Sequence, residues 1–98
     1  MRTLEFLAEA YLEAAAAVAY YEERGARLRA QIETAPASIL EHPLLWHERV
    51  GGYRRVNLPG FPFYIAYFVR VELVIIAAVG HASRHPDYWK SRASTIKP

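Results

Sequence analysis

The chain contains no cysteine. That excludes a disulfide framework, a thiol nucleophile and a Cys-ligated zinc site, and it suits a reducing compartment. Long apolar runs are also missing. The longest, Leu73 to Val79, is strand length and far short of the roughly 20 residues a membrane span needs. Lysine is scarce, with only Lys90 and Lys97. Glu5 and Glu9 interrupt the stretch that a signal peptide would keep apolar. No segment repeats, and none is of low complexity. These absences predict a soluble cytoplasmic protein with no membrane partner.

What is present is a small, apolar-rich chain. Its 98 residues and 53% hydrophobic content predict one domain with a single modest core rather than a disordered tail. Residues 93–98 are expected to be a flexible tail. The charge is uneven. Residues 1–48 carry a net −4 and residues 49–98 a net +6. Either the second half faces something anionic, or the two halves neutralise each other across the fold.

The period of the hydrophobic pattern changes midway. Residues 2–6 suit a short strand. From Leu7, the residues Ala8, Tyr11, Leu12, Ala15, Val18, Ala19 and Glu22 recur at steps of three and four, which predicts a helix. Gly25 is a stop or hinge. Leu28, Ile32, Ala35 and Ile39 predict a second helix, with a kink or break at Pro36 and an end at Pro43. A loop over 42–51 should return Trp46 to the body. Tyr53–Leu58 then alternates like a strand, with Arg54, Val56 and Leu58 on one face and Tyr53, Arg55 and Asn57 on the other. Pro59 and Gly60 make a turn. Phe61–Val69 and Leu73–Val79 read as further strands, the latter buried on both faces. Pro86 opens a short terminal helix through Trp89 to Arg92. The order predicts an α+β fold: a helical hairpin packed on a small antiparallel β-sheet, with a short C-terminal helix.

Four segments carry a family resemblance. They are Tyr20-Tyr21-Glu22-Glu23-Arg24, Gly52-Tyr53-Arg54-Arg55, Phe61-Pro62-Phe63-Tyr64-Ile65-Ala66-Tyr67, and the ending from Val79 through His81, Arg84, Pro86, Tyr88 and Trp89 to Arg92. In this order and spacing the chain resembles the RelE/ParE superfamily of toxins from type II toxin–antitoxin systems. The match runs over residues 1–92. It departs from the family pattern in Pro36 and in a hairpin after Tyr67 without an acidic or glycine turn.

The resemblance implies a toxin that blocks an essential process. It also implies a cognate antitoxin, a small DNA-binding protein whose C-terminal segment wraps the toxin. Two targets follow. RelE-like members cleave mRNA on the ribosome, which needs a base, an acid and cations for the phosphorane charge. His81, Arg84 and Tyr88 would be the catalytic candidates, with Arg54 and Arg55 on phosphate. ParE-like members poison DNA gyrase and need only a surface; Arg54, Arg55, Arg84, Trp89 and Arg92 are the candidates for it. Ala82 stands where the nuclease branch often has a basic residue, which favours a degenerate nuclease site, and the ending from His81 to Trp89 resembles the plasmid-stabilisation ParE-like group, which favours the gyrase reading. A non-toxic nucleic-acid-binding or interaction module is the reading from outside the toxins.

Blander roles compete for the same residues. His81 could simply bond neighbouring backbone, and Tyr88 and Trp89 could pack the terminal helix on the sheet. Arg84 and Arg92 could pair with Asp87 or the hairpin glutamates, and Arg55 could be solvated. Arg54 either reaches over the core edge or is held by a carboxylate. His42, His47 and His85 lack a metal-ligand spacing, so no metal and no cofactor is expected. An antitoxin helix or strand is expected to cover a side shared by Arg54 and Arg84.

Overall fold

The computed structural model describes residues 2–21 and 23–92. The elements run β1 (Thr3–Phe6), α1 (Ala8–Tyr20), α2 (Gly25–Glu41), β2 (Glu48–Arg49), β3 (Tyr53–Asn57), β4 (Phe63–Val69), β5 (Leu73–His81) and α3 (Asp87–Lys90). The expected membership of Glu22 in the first helix and the flexible tail at 93–98 lie outside the described residues.

The strands form one sheet in the order β1-β5-β4-β3-β2. The α+β layering is as the sequence predicts, but the sheet is mixed. β1 pairs parallel with β5, from Thr3 opposite Leu73 to Phe6 opposite Ile76, while the other pairs are antiparallel. The helical hairpin supplies the long crossover that a parallel pairing requires. β5 is therefore interior, and Val74 through Gly80 are all buried.

Two cores lie on the two faces of the sheet. The larger joins Ala10, Ala17, Leu28, Ile32 and Ile39 of the hairpin to Ile65, Tyr67, Val74, Ile76 and Val79. The smaller is aromatic and contains Tyr53, Tyr64, Phe68 and Trp89. Its cover is α3, a helix of 4 residues.

The face of α1 differs from the expected one. Ala10 and Ala17 are buried, with Ala14 and Val18 packed beside them, whereas Tyr11 and Leu12 are 67% and 66% exposed. Alanine lets the helix lie close to the sheet, and this alanine-rich stretch offers several apolar stripes at helical spacing. The stripe that packs is the small one, not the one with the largest side chains. In α2 the expected face is the observed one: Leu28, Ile32 and Ile39 are buried and Ala35 packs against them.

No break occurs at Pro36. The helix runs from Gly25 to Glu41 with Pro36 inside it, because Ile32 and Ile39 on either side are both anchored in the core. Gly25 opens this helix rather than ending the first. A Cβ there would lie 2.6 Å from the Val18 carbonyl oxygen, so the close approach of the two helices needs glycine.

The turn before β4 has Pro59 at its second position and Gly60, with φ of 82°, at its third, closed by Phe61 N–H to Leu58 O at 3.1 Å. That is the sequence requirement of a type II turn. The turn after Val69 closes differently, by Arg70 N–H to Leu73 O at 2.7 Å. No non-glycine among the described residues has positive φ, so this turn needs no Gly, Asn or Asp.

Candidate functional site

β1 stops at Phe6, and Leu7 N–H makes the last bond to this edge of β5, at Ile76 O. Among the described residues, no strand lies beside the edge of β5 beyond that point. Side chains take its place. Glu13 of α1 accepts the Val79 N–H at 3.1 Å, and Arg92 donates to the Ala77 carbonyl at 2.9 Å. The two side chains also form an ion pair with each other. The guanidinium of Arg92 is held above its ordinary pKa, chiefly by its hydrogen bond to Glu13.

Beside this clasp opens a cleft of about 450 Å³ between the C-terminal half of α1 and the end of β5. His81, Arg84 and Tyr88 all line it, with Tyr20, Tyr21 and Phe63 supplying apolar walls. A larger hollow of about 670 Å³ lies between the two helices. None of the residues expected to act lines that one.

Several of the polar groups in the cleft already have partners. Nδ1 of His81 takes the Ser83 amide at 3.1 Å and lies 2.7 Å from the Ser83 hydroxyl. An amide can only donate, so Nδ1 acts as the acceptor in that bond. The Arg84 guanidinium lies 3.7 Å from the centroid of the Tyr88 ring. The Tyr88 hydroxyl is held above its ordinary value, first by burial and then by the Glu13 charge.

The remaining site residues fall elsewhere. Trp89 is fully buried, so it is not a surface group. Its indole N–H donates to the Tyr64 hydroxyl at 2.9 Å, and its ring meets Tyr53 edge-on at 4.7 Å between centroids. Arg54 faces the hairpin side, bonded to the Trp46 carbonyl at 2.6 Å and to Glu48 at 3.4 Å. Arg54 is thus held by a carboxylate and a carbonyl. Trp46 itself packs against the larger core. Arg55 points to the other face, where its guanidinium lies 4.2 Å from the centroid of the Tyr64 ring. It is half-buried rather than freely solvated.

Arg54 and the cleft that holds Arg84 lie at different levels along the strands. Arg54 stands level with Tyr67, and His81 stands level with Phe63, four positions along β4. At about 3.3 Å per residue this separates the two levels by roughly 13 Å. Arg84 forms no ion pair with Asp87 or a hairpin glutamate among the described residues; Arg92 does pair, with Glu13. Among the described residues no group of three His, Asp or Glu side chains could hold a metal ion. Nor, among the described residues, is any helix long and apolar enough to cross a membrane.

Glu13 is the site residue that sequence reasoning passes over. Its signal is position: a carboxylate at step three from Ala10 and step four from Ala17, within the stripe that packs.

A helical hairpin on a mixed sheet, with a cleft between the first helix and the last strand, defines an α+β domain of the RelE/ParE toxin class. The family model for the ParE toxin of the type II toxin–antitoxin system parDE matches residues 4–86, and the chain belongs to that family. Among solved structures it is similar to a chain of the chromosomal ParDE toxin–antitoxin system from P. aeruginosa. The TM-score is 0.73 at 18% identity, over 85% of this chain and 98% of that one. No curated protein sequence matches the chain.

Proposed function

We propose that this ParE-family toxin arrests growth by poisoning DNA gyrase and that a ParD-like antitoxin silences it. The observation that carries the gyrase reading over RNA cleavage is the state of His81. Its Nδ1 accepts from the Ser83 amide and lies 2.7 Å from the Ser83 hydroxyl, so one of the two ring nitrogens a nuclease could use as a base is already occupied. Tyr88 holds its proton too tightly to replace it.

The partner's place follows from exposed apolar groups. Tyr11, Leu12 and Tyr20 of α1 and Leu44 and Leu45 after α2 are all exposed. A tail with an amphipathic helix could bury the α1 group and enter the cleft beside Tyr20, setting a carboxylate against Arg84. The region covered is then the cleft around Arg84.

A second reading keeps one specific support: His81, Arg84 and Tyr88 do line a single cleft. RelE-like cleavage of mRNA on the ribosome is the activity that such a convergence would serve. Tightly controlled expression separates the readings. Stalled replication with DNA damage signalling, and stabilised gyrase–DNA cleavage complexes with purified components, are the expected results. Transcripts cut in a ribosome-dependent way would overturn the gyrase reading. Expression without growth arrest would place the chain among inert interaction modules.

A further inference from the structure

The sheet face opposite the hairpin carries a layer of cations laid over aromatic rings. Arg55 lies 4.2 Å from the Tyr64 centroid, Arg70 lies 5.4 Å from Phe68, and Lys90 lies 5.6 Å from Tyr53. Arg49 stands directly across from Tyr53 in the β2–β3 pair, which puts its exposed side chain on the same face. Among the described residues Arg49, Arg55 and Arg70 form no ion pair. Two carboxylates are placed here by contact or register. Asp87 is bridged to His85 and Lys90, and Glu5 lies on the outer strand, level with Ile75 and so with Phe68. Stacking on a ring orients a guanidinium without cancelling its charge.

We propose that this face binds the phosphate backbone of duplex DNA without reading its sequence. The choice among anionic partners comes from what is covered. Tyr53, Tyr64, Phe68 and Trp89 are all buried beneath the cations, so a protein would find no aromatic anchor here. The exposed apolar side chains suited to a protein lie on α1 and after α2. The same burial excludes single strands, whose bases need open rings to stack on. What remains on offer is fixed, planar, positively charged donors across a broad surface, the chemistry that phosphates accept bidentately. The proposal goes beyond the target reading and needs no gyrase.

Anisotropy of a labelled 20-base-pair duplex titrated with the purified chain, between 50 and 200 mM salt, tests it. A Kd on the order of 10 μM and a log–log salt slope of about −3 are expected for three or four phosphate contacts. Arg55→Gln with Arg70→Gln should weaken binding at low salt at least about tenfold and flatten the slope by about 2. Arg55→Lys with Arg70→Lys should keep most of both, which separates lost charge from lost packing. Arg29→Gln on the hairpin should change neither. Absence of binding at 50 mM salt, a slope indifferent to the glutamine pair, or tighter binding of single-stranded DNA or RNA would overturn the proposal. So would equal affinity for a polyglutamate peptide, which would reassign the face to an acidic protein.

Discussion

Arg92 grips Glu13 across 79 residues of sequence with two parallel bonds, Nη1 to Oε1 at 3.0 Å and Nη2 to Oε2 at 2.9 Å. The same two atoms that face each other in the first bond also serve the β5 edge, Nη1 on the Ala77 carbonyl and Oε1 under the Val79 amide. The pair thus stands in for a missing strand. Both side chains are mostly covered, so removing one leaves a poorly solvated charge and an orphaned backbone group. Glu13→Ala is expected to lower stability by about 2 kcal/mol, above the range of exposed pairs. Urea unfolding of both single variants and the double variant checks it. Additive effects of Glu13→Ala and Arg92→Ala would show that the two act separately.

Arg84 and Arg54 are expected to behave differently on substitution. Arg84→Ala removes an exposed cation from the cleft and should reduce toxicity with no more than about 0.5 kcal/mol of lost stability. Arg54→Ala leaves the Trp46 carbonyl without its donor and should cost about 1–2 kcal/mol. Growth arrest on induction and thermal melts of the same variants decide the matter. Unchanged arrest with Arg84→Ala would remove that residue from the functional surface.

Gly80→Ala should be among the most damaging single changes. The added Cβ would fall 2.4 Å from Tyr64 Cζ, and the Tyr64 hydroxyl is the acceptor for Trp89. A loss of about 2 kcal/mol or more is expected, with a change in Trp fluorescence as the indole moves. Wild-type-like fluorescence and stability would show that the ring can yield.

Pro36→Ala is expected to stabilise. The substitution restores an amide that can reach the Ile32 carbonyl in a helix that is already continuous. A gain of about 1 kcal/mol or more in denaturant unfolding is the predicted outcome. A loss instead would mean that proline's stiffening of the unfolded chain outweighs the missing bond.

Alkaline pH should weaken the fold through two tyrosines. Burial raises both Tyr67 and Tyr88 above the ordinary value of 10.0. In the unfolded chain these hydroxyls ionise first, so above about pH 10 the unfolded state binds fewer protons and gains relative to the folded one. Their contribution is complete below pH 10 and is lost as pH rises through the folded values. Tyr67→Phe, which also removes the hydroxyl's bond to Pro43 O, should be less stable at pH 8 and flatter above pH 10. An identical alkaline slope in the variant would exclude Tyr67 as its source.

The second half of the fold is legible in the sequence because its pattern permits few alternatives. Strict alternation over Tyr53–Asn57 fixes the faces, and Pro59-Gly60 fixes the turn. The first helix is less legible because an alanine run offers several apolar stripes, and only the sheet selects one of them. The parallel pairing of β1 is invisible locally; a strand of 4 residues carries no mark of its direction. The convergence of His81, Arg84 and Tyr88 is local in sequence and therefore readable. The placing of Arg54 and Arg55 on opposite faces is readable too. Their distance from the cleft depends on the ladder between β3 and β5, which no single segment encodes.

Trp89 follows all five strands in chain order, yet it seals one side of the sheet they make. The larger core, between the hairpin and the sheet, contains no residue beyond β5, whereas the slab of Tyr53, Tyr64 and Phe68 stays open until α3 docks. A chain cut short before Trp89 would keep the first and lose the cover of the second.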